Sequence, residues 1–270
     1  LYNSVLPGKP LSFVLMPSYG FGSKRFIGLG QVNLQLFPKN DFIQRIDITA
    51  SAKSFDYANS SFFGVEGDDE FRFVKLTQQV NVLFKKNFAR SPVDQSARFR
   101  NIFIRTDDYS YPGSATPYSK YVINQLSYSL QNKRTLNPFG FTISVESGSQ
   151  SKDDLYLKTY LEGNYRVSYP RKKFGLDLRL FTGYMLIQHA NESYADFHLG
   201  PTTGTKDYRF DQLYFGRTES TGFLSQQVSI ADDGGFKMRT DGVQPELGGS
   251  NSWIFSMNAT LSADTSFPKN

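Results

Sequence analysis

The chain has 270 residues, 25 of them Phe and 16 Tyr, yet its hydrophobic share is only 39%. It contains no cysteine, which excludes a disulfide scaffold and thiolate metal sites. The formal charge of +5 comes from basic residues scattered among acidic ones, so no Lys/Arg block offers a nucleic-acid stripe.

No run of about 20 apolar residues, the length of a helical membrane span, is present. The mean hydropathy of −0.42 does not exclude a membrane, because a barrel strand shows lipid only every second side chain. Leu1 falls within an ongoing pattern, with no charged start or apolar segment of a signal peptide. The expectation is one domain over residues 1–270, an internal piece of a longer exported protein.

Alternation of unlike side chains, the two-residue period of a strand, dominates the chain. Between Phe26 and Leu36, Gly28, Gly30, Val32 and Leu34 share one side, and Gln31, Asn33 and Gln35 the other. Ile46, Ile48, Ala50 and Ala52 then oppose Arg45, Asp47, Thr49 and Lys53. Val74, Leu76, Val80, Val82 and Phe84 oppose Lys75, Thr77, Gln79 and Asn81. Phe139, Phe141, Ile143 and Val145 oppose Thr142, Ser144 and Glu146. Leu155, Leu157, Leu161 and Tyr165 oppose Lys158, Glu162, Asn164 and Arg166, and Leu176, Leu178 and Leu180 oppose Asp177 and Arg179. Finally Trp253, Phe255, Met257 and Ala259 oppose Ser256, Asn258 and Thr260.

Most of these segments outlast the roughly 5 to 6 residues of a soluble strand and reach the roughly 9 to 11 of a tilted membrane strand. Aromatics gather near segment ends (Phe37, Phe55, Tyr57, Phe84, Tyr169, Phe174, Trp253), where interface girdles belong. Short links at Pro38–Asp41, Asn87–Gln95, Asn132–Asn137 and Pro170–Lys173 alternate with longer ones at Ala58–Asp69, Asp107–Lys120 and Asn191–Asp207. Ser149–Asp154 and Gly22–Arg25 are short exceptions. The expected fold is an all-β transmembrane antiparallel barrel of about twelve strands in this segment, its N-terminal end on the periplasmic side of a bacterial outer membrane. Tyr208–Ile230 is weakly patterned, two strands or a lumenal loop. Phe37-Pro38-Lys39-Asn40 recurs as Phe267-Pro268-Lys269-Asn270, so closing strands are expected beyond the second copy.

The faces follow from the pattern. Leu34, Ile48, Val80, Ile143, Leu157, Leu178 and Phe255 are expected against lipid. Arg45, Asp47, Lys53, Lys158, Glu162, Arg166, Asp177 and Arg179 are expected in a polar lumen. Arg217 and Glu219, two apart on one strand face, are candidates to anchor an inward loop.

No catalytic constellation is visible. His189 and His198 are the only histidines, and no HExxH occurs. His189 closes a strand and His198 sits in an expected outer loop, both read as solvated or interfacial. Gly20 to Gly22 and Gly28 to Gly30 lack the strand-turn-helix context of a phosphate cradle. Asp68-Asp69-Glu70 and Asp232-Asp233 have no calcium-ligand spacing and read as solvated loop acids. No cofactor and no metal is expected in this segment.

Three sets of residues carry a resemblance: Pro17-Ser-Tyr-Gly-Phe-Gly-Ser-Lys24 with Gly28-Leu-Gly30; Tyr208 to Glu219 with Phe223-Leu-Ser-Gln-Gln227; and Gly234-Gly-Phe-Lys237 before Ser252-Trp253. Through them nearly the whole chain resembles the C-terminal outer-membrane barrel region of Bacteroidota aminopeptidase N-like (gluzincin) metallopeptidase proteins. That resemblance implies a zinc peptidase-like domain upstream of Leu1, and the zinc with it. The implied role is an anchor for that domain, touching membrane lipid or lipopolysaccharide and other outer-membrane or periplasmic proteins. Gly216-Arg217 is similar to a late-barrel turn of outer-membrane insertases and translocases, so a transport barrel is the alternative, and a soluble β-rich binding module the third reading.

Overall fold

A computed structural model describes residues 1–3, 9–21, 23–59, 70–107, 118–150, 154–169, 174–189, 195–200, 233–236 and 248–262. These residues form an all-β architecture dominated by one antiparallel sheet of ten strands. The sheet begins β1 (Leu11–Gly20), β2 (Arg25–Leu36), β3 (Ile43–Asn59), β4 (Glu70–Phe84) and β5 (Val93–Asp107). It continues β6 (Tyr118–Asn132), β7 (Phe139–Ser149), β8 (Leu155–Ser168) and β9 (Gly175–Gln188). Each strand pairs with the next in sequence. After β9 come two strands of two residues, β10 (Phe197–His198) and β11 (Gly249–Ser250), paired only with each other. The last strand, β12 (Trp253–Ser262), then returns to the large sheet beside β9. The large sheet thus holds ten of the expected dozen strands. Tyr208–Ile230 lies outside the described residues.

Among the described residues β1 and β12 do not pair with each other, so the sheet is not closed. The outer edge of β1 is partly covered by the chain's first residues. Tyr2 bridges Val14, Leu15 N–H donates to Leu1 O at 2.7 Å, and Asn3 N–H to Phe13 O at 3.3 Å.

The connections at one end of the sheet are all short, while the other end mixes the short β1–β2 and β7–β8 connections with long ones. Residues 37–42, 85–92, 133–138 and 169–174 turn the chain at one end of the sheet. The ten-residue links 60–69 and 108–117 and the long passage from β9 to β12 lie at the other. Asparagines order the short turns: Asn40 Oδ1 accepts from the N–H groups of Phe42 and Ile43. Asn137, at a φ of 50°, accepts from Ser168 N–H at 2.8 Å, while its own N–H donates to Ser168 Oγ at 3.1 Å. Such local bonds are why Asn tolerates turn backbone. At the opposite end of β2, Gly28 has a φ of 154°, and a Cβ there would lie 2.5 Å from Met16 O. It is a packing glycine where β1 and β2 approach.

Partners across an antiparallel ladder point to the same face, so side chains form rows that cross the whole sheet. One row runs Leu11, Leu34, Ile48, Val80, Phe99, Leu126, Val145, Thr159, Tyr184, Trp253. Apart from the half-buried Leu34, its large side chains are exposed, Leu126 to 57% and Trp253 to 63%. The row beside it, on the other face, runs Asn33, Thr49, Gln79, Arg100, Gln125, Glu146, Lys158, Met185. From Arg100 onward that row is buried. Across these two rows the charged and amide side chains from Arg100 to Lys158 are buried and most of the large apolar ones exposed.

The buried face also holds two apolar clusters. One gathers Phe55, Phe73, Ile102, Ile104 and Ile123. Phe55, expected in an aromatic girdle, is instead buried against Phe73 with ring centroids 4.9 Å apart, because it shares Lys53's side of β3. The other gathers Tyr156, Phe181, Met185 and Ile254 around Ala195 and Phe197, which come from the passage between β9 and β12.

Candidate functional site

The arrangement that most constrains function lies where residues 195–200 and 233–236 cover the buried face of β7, β8, β9 and β12. The β7–β8 hairpin pairs Ser149 with Leu155. Counting three residues away from that closing pair on each strand brings Glu146 opposite Lys158. Both are fully enclosed, at 0% and 1% exposure, with Nζ 3.3 Å from Oε1. A buried pair of charges is tolerated only when the remaining hydrogen-bonding capacity is satisfied. Here Tyr156 Oη donates to Glu146 Oε1 at 2.9 Å, and Gln125 Nε2 to Oε2 at 3.3 Å. The same Gln125 amide donates to Tyr160 Oη.

Lys158 also reaches the covering segment. Its Nζ donates to Ala195 O at 3.0 Å and lies 5.2 Å from the Phe197 ring and 5.5 Å from the Tyr156 ring. The ring of Phe197 fills space that a side chain at residue 183 would need: a Cβ on Gly183 would meet it at 2.5 Å. Gly183 is thus what lets the ring seat directly on β9.

A second clamp lies toward the short-turn end. Arg179 donates from Nε to Glu162 at 2.7 Å and from Nη1 to Asp233 O at 3.0 Å and Asn258 Oδ1 at 3.3 Å. Asp233 Oδ2 accepts from His198 N–H at 3.1 Å. Gly234 N–H donates to His198 O and Phe236 N–H to Leu199 O, both at 2.9 Å. Beneath this clamp is a cavity of about 420 Å³ whose lining includes Arg166, Asp177, Arg179, Asn258 and Gly235.

The sequence-derived candidates fall as follows. Arg45 pairs with Asp47 at 2.9 Å, Arg166 with Asp177 at 2.8 Å and Arg179 with Glu162 at 2.7 Å, all on the face that carries Lys158. Lys53 lies on that face too, opposite the buried Lys75. Ile48, Val80, Ile143 and Phe255 are exposed on the other face; Leu34, Leu157 and Leu178 are half-buried there. Arg217 and Glu219 lie outside the described residues.

Two expectations are corrected. His198 does not sit in an outer loop: its segment packs on the buried face, held by Phe197, Asp233 and the β10–β11 pair. Asp233 is not a solvated acid but is 2% exposed, its carboxylate accepting from His198 N–H and its backbone carbonyl from the Arg179 guanidinium. Sequence patterning missed both because the contacts join residues far apart in the chain. Glu146 was assigned to the polar side without a partner; counting outward from the β7–β8 link would have given it Lys158.

The ion pair at the centre of the site is fully partnered, while the buried Gln125 Oε1 beside it has no hydrogen-bond partner. The ammonium of Lys158 has a carboxylate, a carbonyl and two rings, and Glu146 has partners on both oxygens. No group of three or more His, Cys, Asp or Glu able to hold a metal is present among the described residues. Among the same residues no helix is long and apolar enough to cross a membrane, which says nothing about strands. Protein-family models, curated proteins and solved structures give no match to the chain.

Replacing Lys158 by Met should leave Glu146 enclosed without a counter-charge, costing about 3 to 5 kcal/mol, whereas Lys158→Met with Glu146→Leu should recover most of that loss. Urea unfolding midpoints of the two variants check this. Equal destabilisation would show that the pair contributes only through its shape.

Proposed function

We propose that this chain is an outer-membrane-spanning β-barrel region whose interior is occupied by its own inward segment, and that it anchors an envelope peptidase-like domain rather than conducting solutes. The reading rests on one observation above the others: large apolar side chains are exposed in rows from strand to strand, while ion pairs and amides are buried behind them. Soluble proteins rarely expose contiguous apolar patches beyond a few hundred Å². Hydrocarbon is the surroundings in which such a face costs nothing.

Strand lengths of 10 to 17 residues suit tilted membrane strands, and aromatic pairs occur toward strand ends. Tyr19 meets Phe26 at 5.2 Å near the loop end, and Phe42 meets Phe84 at 4.9 Å near the short-turn end. The short-turn end is then periplasmic and the long-loop end outside. Lipid leaves no open sheet edge unsatisfied, so the reading requires the free edges of β1 and β12 to be paired, directly or through further strands.

The anchoring role is supported by the two clamps. A segment held by Lys158, Phe197 and Arg179 across β8, β9 and β12 obstructs the interior instead of lining an open channel. The attached zinc peptidase-like domain, with its metal, is carried by the resemblance of Pro17–Lys24, Tyr208–Glu219 and Gly234–Lys237.

In a membrane-insertion assay, Leu178→Arg should impair assembly, since Arg near the midplane of the lipid face costs about 2 to 4 kcal/mol. Asp177→Asn, on the opposite face, should insert nearly as well as the parent chain. Purified protein in a planar bilayer should show no stable conductance. Discrete single-channel currents would favour a pore, and equal tolerance of both substitutions would refute the assigned faces.

A further inference from the structure

The exposed face has one interruption. The row Val32, Ala50, Gln78, Asn101, Asn124, Ser147, Leu157 crosses β2 to β8, and its four central members are uncharged and polar. Apolar residues flank Gln78, Asn101 and Asn124 on both sides: Val80, Phe99 and Leu126 toward the short turns, Leu76, Phe103 and Val122 toward the long loops, whereas Ser147 lies between Val145 and Ser149, the last residue of β7. The three carboxamides are therefore not at a strand end, where headgroups or water would meet them. On the membrane reading, on which this inference rests, the three carboxamides Gln78, Asn101 and Asn124 sit within the hydrocarbon band, with Ser147 nearer its edge.

They are not satisfied by each other. Asn101 Nδ2 donates to Asn124 Oδ1 at 2.7 Å, one bond between two carboxamides that each carry two donor hydrogens and two acceptor lone pairs. In hydrocarbon a polar group without a partner is costly, and amide and hydroxyl side chains there associate across neighbouring spans.

We propose that this stripe is a dimerisation surface and that its occupant is a second copy of the chain. The match is chemical. A charged partner would bury an uncompensated charge against neutral amides, and a purely apolar one would leave them unpaired. Carboxamides donate and accept equally, so the stripe complements itself. Two copies in one membrane with the same orientation are related by a twofold axis along the membrane normal, giving an isologous interface. Because strands tilt by about 35–45°, the two stripes cross at their centres, which sets Asn101 and Asn124 of one copy against Asn101 and Asn124 of the other. The flanking apolar rows pack around this cluster, with Gln78 and Ser147 on either side of it in the row.

The chain has no cysteine, so single-cysteine reporters are clean. The test uses the full chain reconstituted in phosphatidylcholine vesicles with a short bis-maleimide. Phe99→Cys and Leu126→Cys, beside the stripe, should cross-link as dimers; Leu34→Cys and Phe255→Cys, on the same face but away from the crossing, should not. Asn101→Leu with Asn124→Leu makes the band more apolar and should still insert, yet weaken the dimer by about tenfold, the loss of two such hydrogen bonds. A monomeric mass for the inserted parent chain across dilutions would overturn the proposal. So would cross-linking that ignores reporter position, or a different protein bound at the stripe. Failure of the parent chain to insert at all would instead remove the membrane reading beneath it, which the insertion assay registers separately.

Discussion

A continuous antiparallel ladder permits each side chain only two destinations, and everything else in this molecule follows from how the sequence uses them. With a period of two, a strand that alternates Leu and Lys must send one set to each face. Ten such strands, paired with only a few register shifts, turn ten local alternations into two global surfaces of opposite character. The shift between Leu157 and Lys158 shows the constraint locally. The bulge realigns β8 with β9 so that Lys158 faces the interior beside Met185, while Leu157 and Ile187 stay outside together.

The polar face then has to be made tolerable. Its charges are neutralised pairwise between neighbours, as in Arg166–Asp177 and Arg179–Glu162, or fully enclosed, as in Lys158–Glu146. The inward segment completes that enclosure by bringing apolar cover, Ala195 and Phe197, with backbone carbonyls to take the remaining ammonium and guanidinium hydrogens. Burial of charge and occlusion of the interior are thus one structural solution. The same logic leaves the amide stripe on the outer face with its polarity unenclosed.

Legibility in the sequence tracked the range of the interactions. The face of Ile48, Val80 or Arg179 is a local matter, set by the two-residue period, and could be assigned by counting. The short turns at one end were equally visible, because residues such as Asn40 bond backbone two and three positions on. Glu146–Lys158 lay one step further, needing only the register of a single hairpin. Phe197 and Asp233 were beyond reach: each meets side chains of strands with which it shares no hairpin, and a polar passage of that length reads as an outer loop. Phe55 misled for a related reason, since an aromatic near a strand end fits a girdle or a core equally well until its partner, Phe73, is known.

The chain's single tryptophan, Trp253, ends the exposed apolar row and is itself exposed, which makes it a reporter of what surrounds that face. The decisive measurement is its fluorescence quenching in reconstituted vesicles by brominated acyl chains and by aqueous iodide. A barrel wrapped in lipid predicts strong quenching by the brominated lipid and weak quenching by iodide. A chain that folds in plain buffer, with Trp253 open to iodide and untouched by brominated lipid, would contradict it.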